Sequence, residues 1–322
     1  NYIYMSIPFK IQFSDSEKYF PTSIQEYIKS CHLEDISGNV IKKVGQITKR
    51  DLKTAKETDR LGFDKSKRAG FKNNLELAPI YRTINEIVYN GKRFQDHVYL
   101  IFYNFNGTSH IHDFDCEFVT VRYDSQKKIK GMFLSQHGDA PFYKEANLKK
   151  ANGKYIIYAA NESHANYPTS GTQTRFFGFG NDISNSRGKL WEPTKLIEIP
   201  NDMSDLPEEL EYLLFKGKRG YNTNLQFPPY FQTSNNFSLQ YPSIEKDSEF
   251  LSKKVNSNIF IGLGVVSIIT FIVMIYNFAA VLISLNAILF TLSVFILNLF
   301  GKITIYDGAS TLNRLSSFGI FR

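Results

Sequence analysis

From Leu77 onward, apolar side chains recur at every second position in short runs, the pattern of half-buried β-strands. Residues 80–90 alternate in this way. Residues 96–105 form a denser strand of Val, Tyr, Leu, Ile and Phe, and Asn106-Gly107 then marks a turn. A second strand runs through Phe114–Tyr123, and Asp124-Ser125-Gln126 turns it back into residues 129–136, which leaves His137 at the hairpin's end. Residues 155–160 are a further strand that runs directly into Asn161-Glu162-Ser163-His164. Upstream, residues 7–13 alternate, Ser14–Ser23 reads as a capping segment, and a helix is predicted from Ser23 to Cys31. Many short strands at regular spacing with few helices predict a mainly β fold, an antiparallel β-sandwich.

The pattern changes twice. Residues 42–72 carry eleven Lys or Arg against four Asp or Glu and few large apolar side chains, so they read as a basic insertion or extended arm. A solvated, mobile loop is the plain reading of this stretch. Contact with anionic lipid is the sharper one, and nucleic acid is disfavoured because no interleaved aromatic residues or binding module accompany the charge. Residues 175–180 are rich in glycine and aromatics, 193–229 are irregular with one helix near 206–215, and 231–250 resemble a polar linker.

The second change is sharper. Residues 259–300 contain no charged side chain. A spanning helix needs about 20 apolar residues, so a run of this length predicts a transmembrane helical hairpin, 258–276 and 279–300, turning near Asn277. The domain plan is then a sandwich over 1–235, a linker over 236–257, the membrane hairpin over 258–300 and a short tail over 301–322. The formal charge is +7. Lys253, Lys254, Lys302, Arg314 and Arg322 against Asp307 give +4 over residues 251–322, which leaves +3 for the rest. Basic residues at both ends of the hairpin place the sandwich and the tail on the cytosolic side of an internal membrane. Cys31 and Cys116 form no metal or redox motif and read as buried free thiols of a reducing compartment. Three sequons, at Asn106, Asn161 and Asn236, would carry glycan only in a luminal domain.

Candidate chemistry sits on the second strand. Val119, Val121 and Tyr123 share its inward face, and the same alternation brings Glu117, Asp115 and Asp113 to that face. Buried carboxylates need neutralisation, because an unpaired buried charge costs many kcal/mol. Asp115, Glu117, His137 and His164 are therefore candidate ligands of a divalent metal, with His112 and Asp113 as weaker candidates and His110 beside them. Such a mixed set suits Zn²⁺ or Mn²⁺, and with water also Mg²⁺ or Ca²⁺. The competing reading pairs Asp115 and Glu117 with Arg122, Arg175 or a lysine. Glu117 or Asp139 could serve as a base, but there is no nucleophile elbow, HExxH helix, P-loop or GxGxxG, so no catalytic residue is assigned.

The run Asp115–Tyr123 resembles the "DWEHV" strand of the vacuolar-protein-sorting family numbered sixty-two, found in fungi and plants. Residues 133–138, 157–168 and 215–220 resemble further motifs of that family in the same order, and Ser16–Ser23 resembles its "hp-E-x-y-x-P-S" opening. The resemblance spans roughly residues 5–235. Cys116 stands where Trp is usual, Phe118 where His is usual and Arg219 where Trp is usual. A more distant motif similarity links His110–Glu117 to the "GHRHDWE" motif of the necrosis- and ethylene-inducing peptide family. That family's β-sandwich holds a divalent ion at one end and acts on membranes through lipid headgroups.

The resemblance to the sorting family implies membrane trafficking with no molecular activity attached. The leading expectation is a membrane-anchored binding or tethering protein, fixed to the bilayer through 258–300, with an ion site contacting an anionic lipid or a protein partner. A structural subunit of a virion or organelle complex is the alternative, and a metal-dependent hydrolase the third.

Overall fold

A computed structural model of the chain describes residues 6–89, 91–108, 111–137, 140–174, 180–200, 206–207, 210, 213–221 and 288–294. The chain divides into two compact units, Asn1–Gln173 with Asp182–Phe250, and Thr174–Asn181 with Leu251–Arg322. The β-structure lies almost wholly in the first.

Its centre is a seven-stranded sheet. The order is Phe142–Lys144, Ile129–Leu134, His112–Asp124, Lys92–Asn106, Pro79–Tyr89 and Lys195–Glu198, with Pro21–Thr22 also pairing with Lys92–Asn106. A second sheet runs Lys150–Ala151, Lys154–Ala159, Phe9–Gln12 and Leu190–Trp191, with Asn166–Tyr167 added to Lys154–Ala159. The main core lies between them, built from Phe9, Ile11, Tyr99, Ile101, Tyr103, Val119, Val121, Met132, Leu134, Ile157 and Trp191. The expected sandwich is present, but it is not purely antiparallel. Phe9–Gln12 lies parallel to Lys154–Ala159, and Lys195–Glu198 lies parallel to Pro79–Tyr89. Each of these strands joins a partner more than a hundred residues away, so no hairpin turn dictates its direction.

The large sheet is covered on its other face too. Val98, Leu100, Phe102, Phe114 and Phe118 pack there against Ile24 and Tyr27 of the helix Ile24–Lys29 and against Leu33, Leu61 and Phe63. This explains why Val98–Phe105 reads as a nearly continuous apolar run: both faces are buried. The helix begins as predicted, with the Ser23 hydroxyl accepting from the Glu26 amide at 3.1 Å.

The basic insertion is not a mobile loop. Its strand Arg60–Phe63 pairs with Cys31–Glu34, which also pairs with Val40–Lys42 to complete a three-stranded sheet. The helix Lys49–Thr54 is closed by a Thr48/Asp51 capping box. Leu52, Ala55, Leu61 and Phe63 root it in the second core, with Ile47 packed against them, so a low apolar count concealed an ordered element.

Among the described residues no helix is long and apolar enough to cross a membrane. The hairpin expected over 258–300 lies outside the described residues except for 288–294, which are helical. The linker 236–257 and tail 301–322 lie outside them entirely.

Candidate functional site

The strand His112–Asp124 carries its carboxylates inward, as the alternation predicts. Asp113, Asp115 and Glu117 are buried, at 2%, 5% and 7% exposure. Across the strand pair, Asp115 lies opposite Tyr103 and Glu117 opposite Ile101. What neutralises them differs for each.

Asp115 is paired with His164. The His164 Nδ1 lies 2.8 Å from Asp115 Oδ2, and its ring stacks on Tyr103 with centroids 3.7 Å apart and planes 6° from parallel. Its Nε2 faces the Tyr19 carbonyl at 3.1 Å, with Glu17 Oε1 at 3.8 Å. Both ring nitrogens thus face oxygen atoms. Glu17 is buried as well. Its Oε1 accepts from the amides of Lys18 and Tyr19 at 2.9 Å each, and its Oε2 accepts from the Glu162 amide at 2.8 Å. The result is an enclosed triad of Asp115, His164 and Glu17, tying together the Ser14–Phe20 loop, two central strands and the turn 161–164. His112 adds a further contact, with its Nε2 3.7 Å from Asp115 Oδ1. Burial alone would raise the Asp115 carboxyl, but the bonds and charge from His112 and His164 outweigh it and hold the carboxyl well below its usual range.

Glu117 is handled in the opposite way. The Ser135 hydroxyl donates to its Oε2, and Ser135 Oγ in turn accepts from the Phe118 amide at 2.8 Å and from Asn166 Nδ2 at 3.1 Å. Burial first, and the Asp115 charge second, push the Glu117 carboxyl well above its ordinary range. Asp113 is answered from the basic insertion: Arg68 Nη2 reaches its Oδ1 at 3.1 Å while the guanidinium lies over Phe105. Arg122, one of the partners weighed for Asp115 and Glu117, is instead held bidentate by Asp96, which lies directly across the strand pair, at 2.9 and 2.8 Å.

His137 stands apart from the triad. Its Nε2 lies 2.5 Å from Asp182 Oδ2, which also accepts from the Tyr167 hydroxyl at 2.5 Å, while Ser163 Oγ donates to Oδ1 at 2.9 Å. The structure thus brings Asp115 and His164 into contact but gives Glu117, Asp113 and His137 other partners. The Nδ1 of His164 is turned to a carboxylate and its Nε2 to a carbonyl, and among the described residues no group of three or more His, Cys, Asp or Glu is placed together as a metal-binding set. His110 and Asp139 lie outside the described residues.

Backbone strain marks the same end of the sandwich. Six described non-glycine residues have positive φ, and four of them belong to or adjoin these clusters: Phe114 (63°), His137 (53°), Glu162 (59°) and His164 (59°). Such conformations cost of order 1–3 kcal/mol each and persist only where their surroundings enforce them.

Glu17, Ser135, Asn166 and Asp182 join these clusters without standing out in the sequence. The first three lie inside the family-like segments 16–23, 133–138 and 157–168, where the carboxylate at Glu17 is the available signal. Asp182 carried none. Two departures from the family pattern have a structural account. Phe118 turns its ring into the second core, away from Asp115 and Glu117, and Arg219 lies over the Phe114 ring at 5.5 Å.

Comparison with known proteins agrees with the resemblance. The chain is similar to the putative vacuolar protein sorting-associated protein TDA6 of Saccharomyces cerevisiae, at 25% identity over 231 residues, and it spans about half the length of that relative (55% of this chain, 49% of TDA6). Similar solved structures include Necrosis and Ethylene inducing Protein 2 from the causal agent of cocoa's Witches Broom disease, at 12% identity and TM-score 0.33 over 66% of this chain and 81% of that one. Another is NLPPya in complex with glucosamine, at 12% identity and TM-score 0.34 over 66% and 79%. A family model, that of vacuolar protein sorting-associated protein 62, matches residues 5–189, more than half of the chain, and with the motif strand and its triad inside that span the chain belongs to this family.

Proposed function

We propose that the chain is a non-enzymatic binding module in vacuolar sorting, attached to an internal membrane through residues 258–300, with the sandwich on the cytosolic side. The Asp115–His164–Glu17 triad serves as an internal brace. It fixes the turn 161–164 and the Ser14–Phe20 loop at one end of the sandwich, and the surface they present is where a partner is engaged.

One observation carries this reading: the candidate carboxylates are already answered by protein groups, Asp115 by His164, Asp113 by Arg68 and Glu117 by Ser135. Groups so engaged supply rigidity rather than a base or an open coordination position. The strained residues beside them fit a recognition surface that must hold its shape before binding. The sorting role is supported by family membership and by the name of the yeast relative.

The test is a cell in which the chain is deleted and restored. Loss should divert a soluble vacuolar hydrolase to the medium, and wild-type chain should reverse this while the triad variant Asp115→Asn does not. Unaltered sorting on deletion would end the proposal. Sidedness has its own test, since glycan on Asn106 or Asn161 would put the sandwich in the lumen.

A further inference from the structure

The sheet that roots the basic insertion also carries a feature the triad does not use. Its hairpin, Cys31–Glu34 and Val40–Lys42, ends in a tightly built turn. The Gly38 amide donates to the Asp35 carbonyl at 3.0 Å, and Asp35 Oδ1 accepts from the amides of Ser37 and Asn39 at 2.9 Å each. Gly38 adopts φ +82°, which closes the turn and leaves Ile36 at its tip with 77% exposure. A second turn follows at once. The Gln46 amide donates to the Lys43 carbonyl at 3.0 Å, Gly45 takes φ +75°, and Val44 projects at 52% exposure. Between the two turns, Val40 and Ile41 on the sheet's edge are 55% and 47% exposed. Four β-branched residues within nine positions are therefore held in water by ordered backbone. A stable fold gains nothing from this, and such patches mark contact sites.

We propose that this double turn is a prong that inserts into the headgroup layer of an anionic membrane. It rests on the reading of the chain as a membrane-associated module and adds a second contact to it, on the sandwich itself. Charge complementarity names the occupant. Over residues 35–56 the basic residues are Lys42, Lys43, Lys49, Arg50, Lys53 and Lys56, against the acids Asp35 and Asp51, of which Asp51 pairs with Lys42 at 3.2 Å. Apolar side chains on the two turns and on the edge strand between them, with Lys42 and Lys43 next to them in the chain, match a lipid surface, where aliphatic groups enter the acyl boundary and ammonium groups meet phosphate. A protein-binding surface would present buried-type aromatic or arginine anchors around a pocket, and the tip has neither.

The chain's single tryptophan, Trp191, is buried at 2% exposure, which makes introduced tryptophans readable. Full-length Ile36→Trp and Val44→Trp chains, reconstituted in phosphatidylcholine–phosphatidylserine vesicles with brominated acyl chains, should lose at least about half of the added emission. Val88→Trp, at a site 71% exposed on the strand Pro79–Tyr89, should lose little. The quenching should weaken in pure phosphatidylcholine and in a Lys43→Glu background. Vesicle association without quenching at positions 36 and 44, or equal quenching at position 88, would overturn the prong while leaving the membrane reading intact. Failure of the full chain to associate with any vesicle would overturn both.

Discussion

The Nδ1 of His164 lies 2.8 Å from Oδ2 of Asp115, although 49 residues separate the two in sequence. Around this contact the imidazole is fully enclosed, stacked on Tyr103 and flanked by Glu17. A buried carboxylate–imidazole contact of this kind adds little net stability relative to apolar packing, but losing one partner strands the other's buried polar atoms.

Asp115→Asn should therefore destabilise the sandwich by about 3–5 kcal/mol. Urea denaturation measures this, and the double variant Asp115→Asn/His164→Gln should lose clearly less than the sum of the singles. Strict additivity would mean that the contact is not energetically coupled. The sign with pH follows from the depressed carboxyl: its contribution is present above the ordinary carboxylate range and is lost as pH falls below it.

Glu117 predicts the reverse dependence. Its folded carboxyl titrates above the ordinary value, so its stabilising contribution is complete at low pH and declines as pH rises toward the folded value, with a slope of up to about 1.4 kcal/mol per pH unit. Glu117→Gln, which copies the protonated form, should raise the melting temperature at pH 7–8 and converge with wild type near pH 4. A variant less stable than wild type at pH 8 would show that the carboxylate is ionised in place.

His97 supplies a third pH window. Burial first, and then the charges of Arg82 and Lys127, lower its pKa to about 3. The hydrogen bonds match a neutral ring, with Nε2 donating to Gln95 Oε1 at 2.9 Å and Nδ1 facing Arg82 Nη1 at 3.5 Å. Because the unfolded chain takes up this proton near pH 6.5 and the folded chain does not, stability should fall as pH drops from 6.5 toward 3. Melting curves of His97→Gln across that range should show a shallower slope than wild type.

Chelation is a direct check on the triad as the charge-balancing device. With His164 in place beside Asp115, treatment with EDTA should leave the melting temperature unchanged, and metal analysis should find no difference between wild type and Asp115→Asn. A chelator-induced drop of several degrees would restore the metal.

Gly131 tests the packing of the large sheet. A Cβ built there would lie 2.2 Å from the Tyr143 carbonyl oxygen, a backbone atom with little room to retreat. Gly131→Ala should cost about 1–3 kcal/mol, read from the midpoint of denaturation, although alanine is otherwise tolerated in strands.

Much of the scaffold was legible. Period-two alternation located the central strands because each places its side chains on opposite faces, and the Asn106-Gly107 and Asp124–Gln126 turns fixed two of their connections. The order of the insertion is not legible because a few apolar residues, Leu52, Ala55, Leu61 and Phe63, seat it in the core among many lysines and arginines. The parallel pairings of Phe9–Gln12 and Lys195–Glu198 left no local mark, since neither strand is joined to its partner by a turn.

The alternation of residues 113–123 by itself determined that three carboxylates would face inward, and the cost of burying charge determined that each would need an answer. Which group answers was decided only when the chain closed. His164, Arg68 and Ser135 reach Asp115, Asp113 and Glu117 from a distant turn, from the basic insertion and from just past the end of the neighbouring strand Ile129–Leu134, and Arg122 is claimed by Asp96 across the ladder. Charge demands a partner at hydrogen-bond distance, and distances between residues far apart in sequence are set by the packing of sheets, which spacing along the chain does not encode.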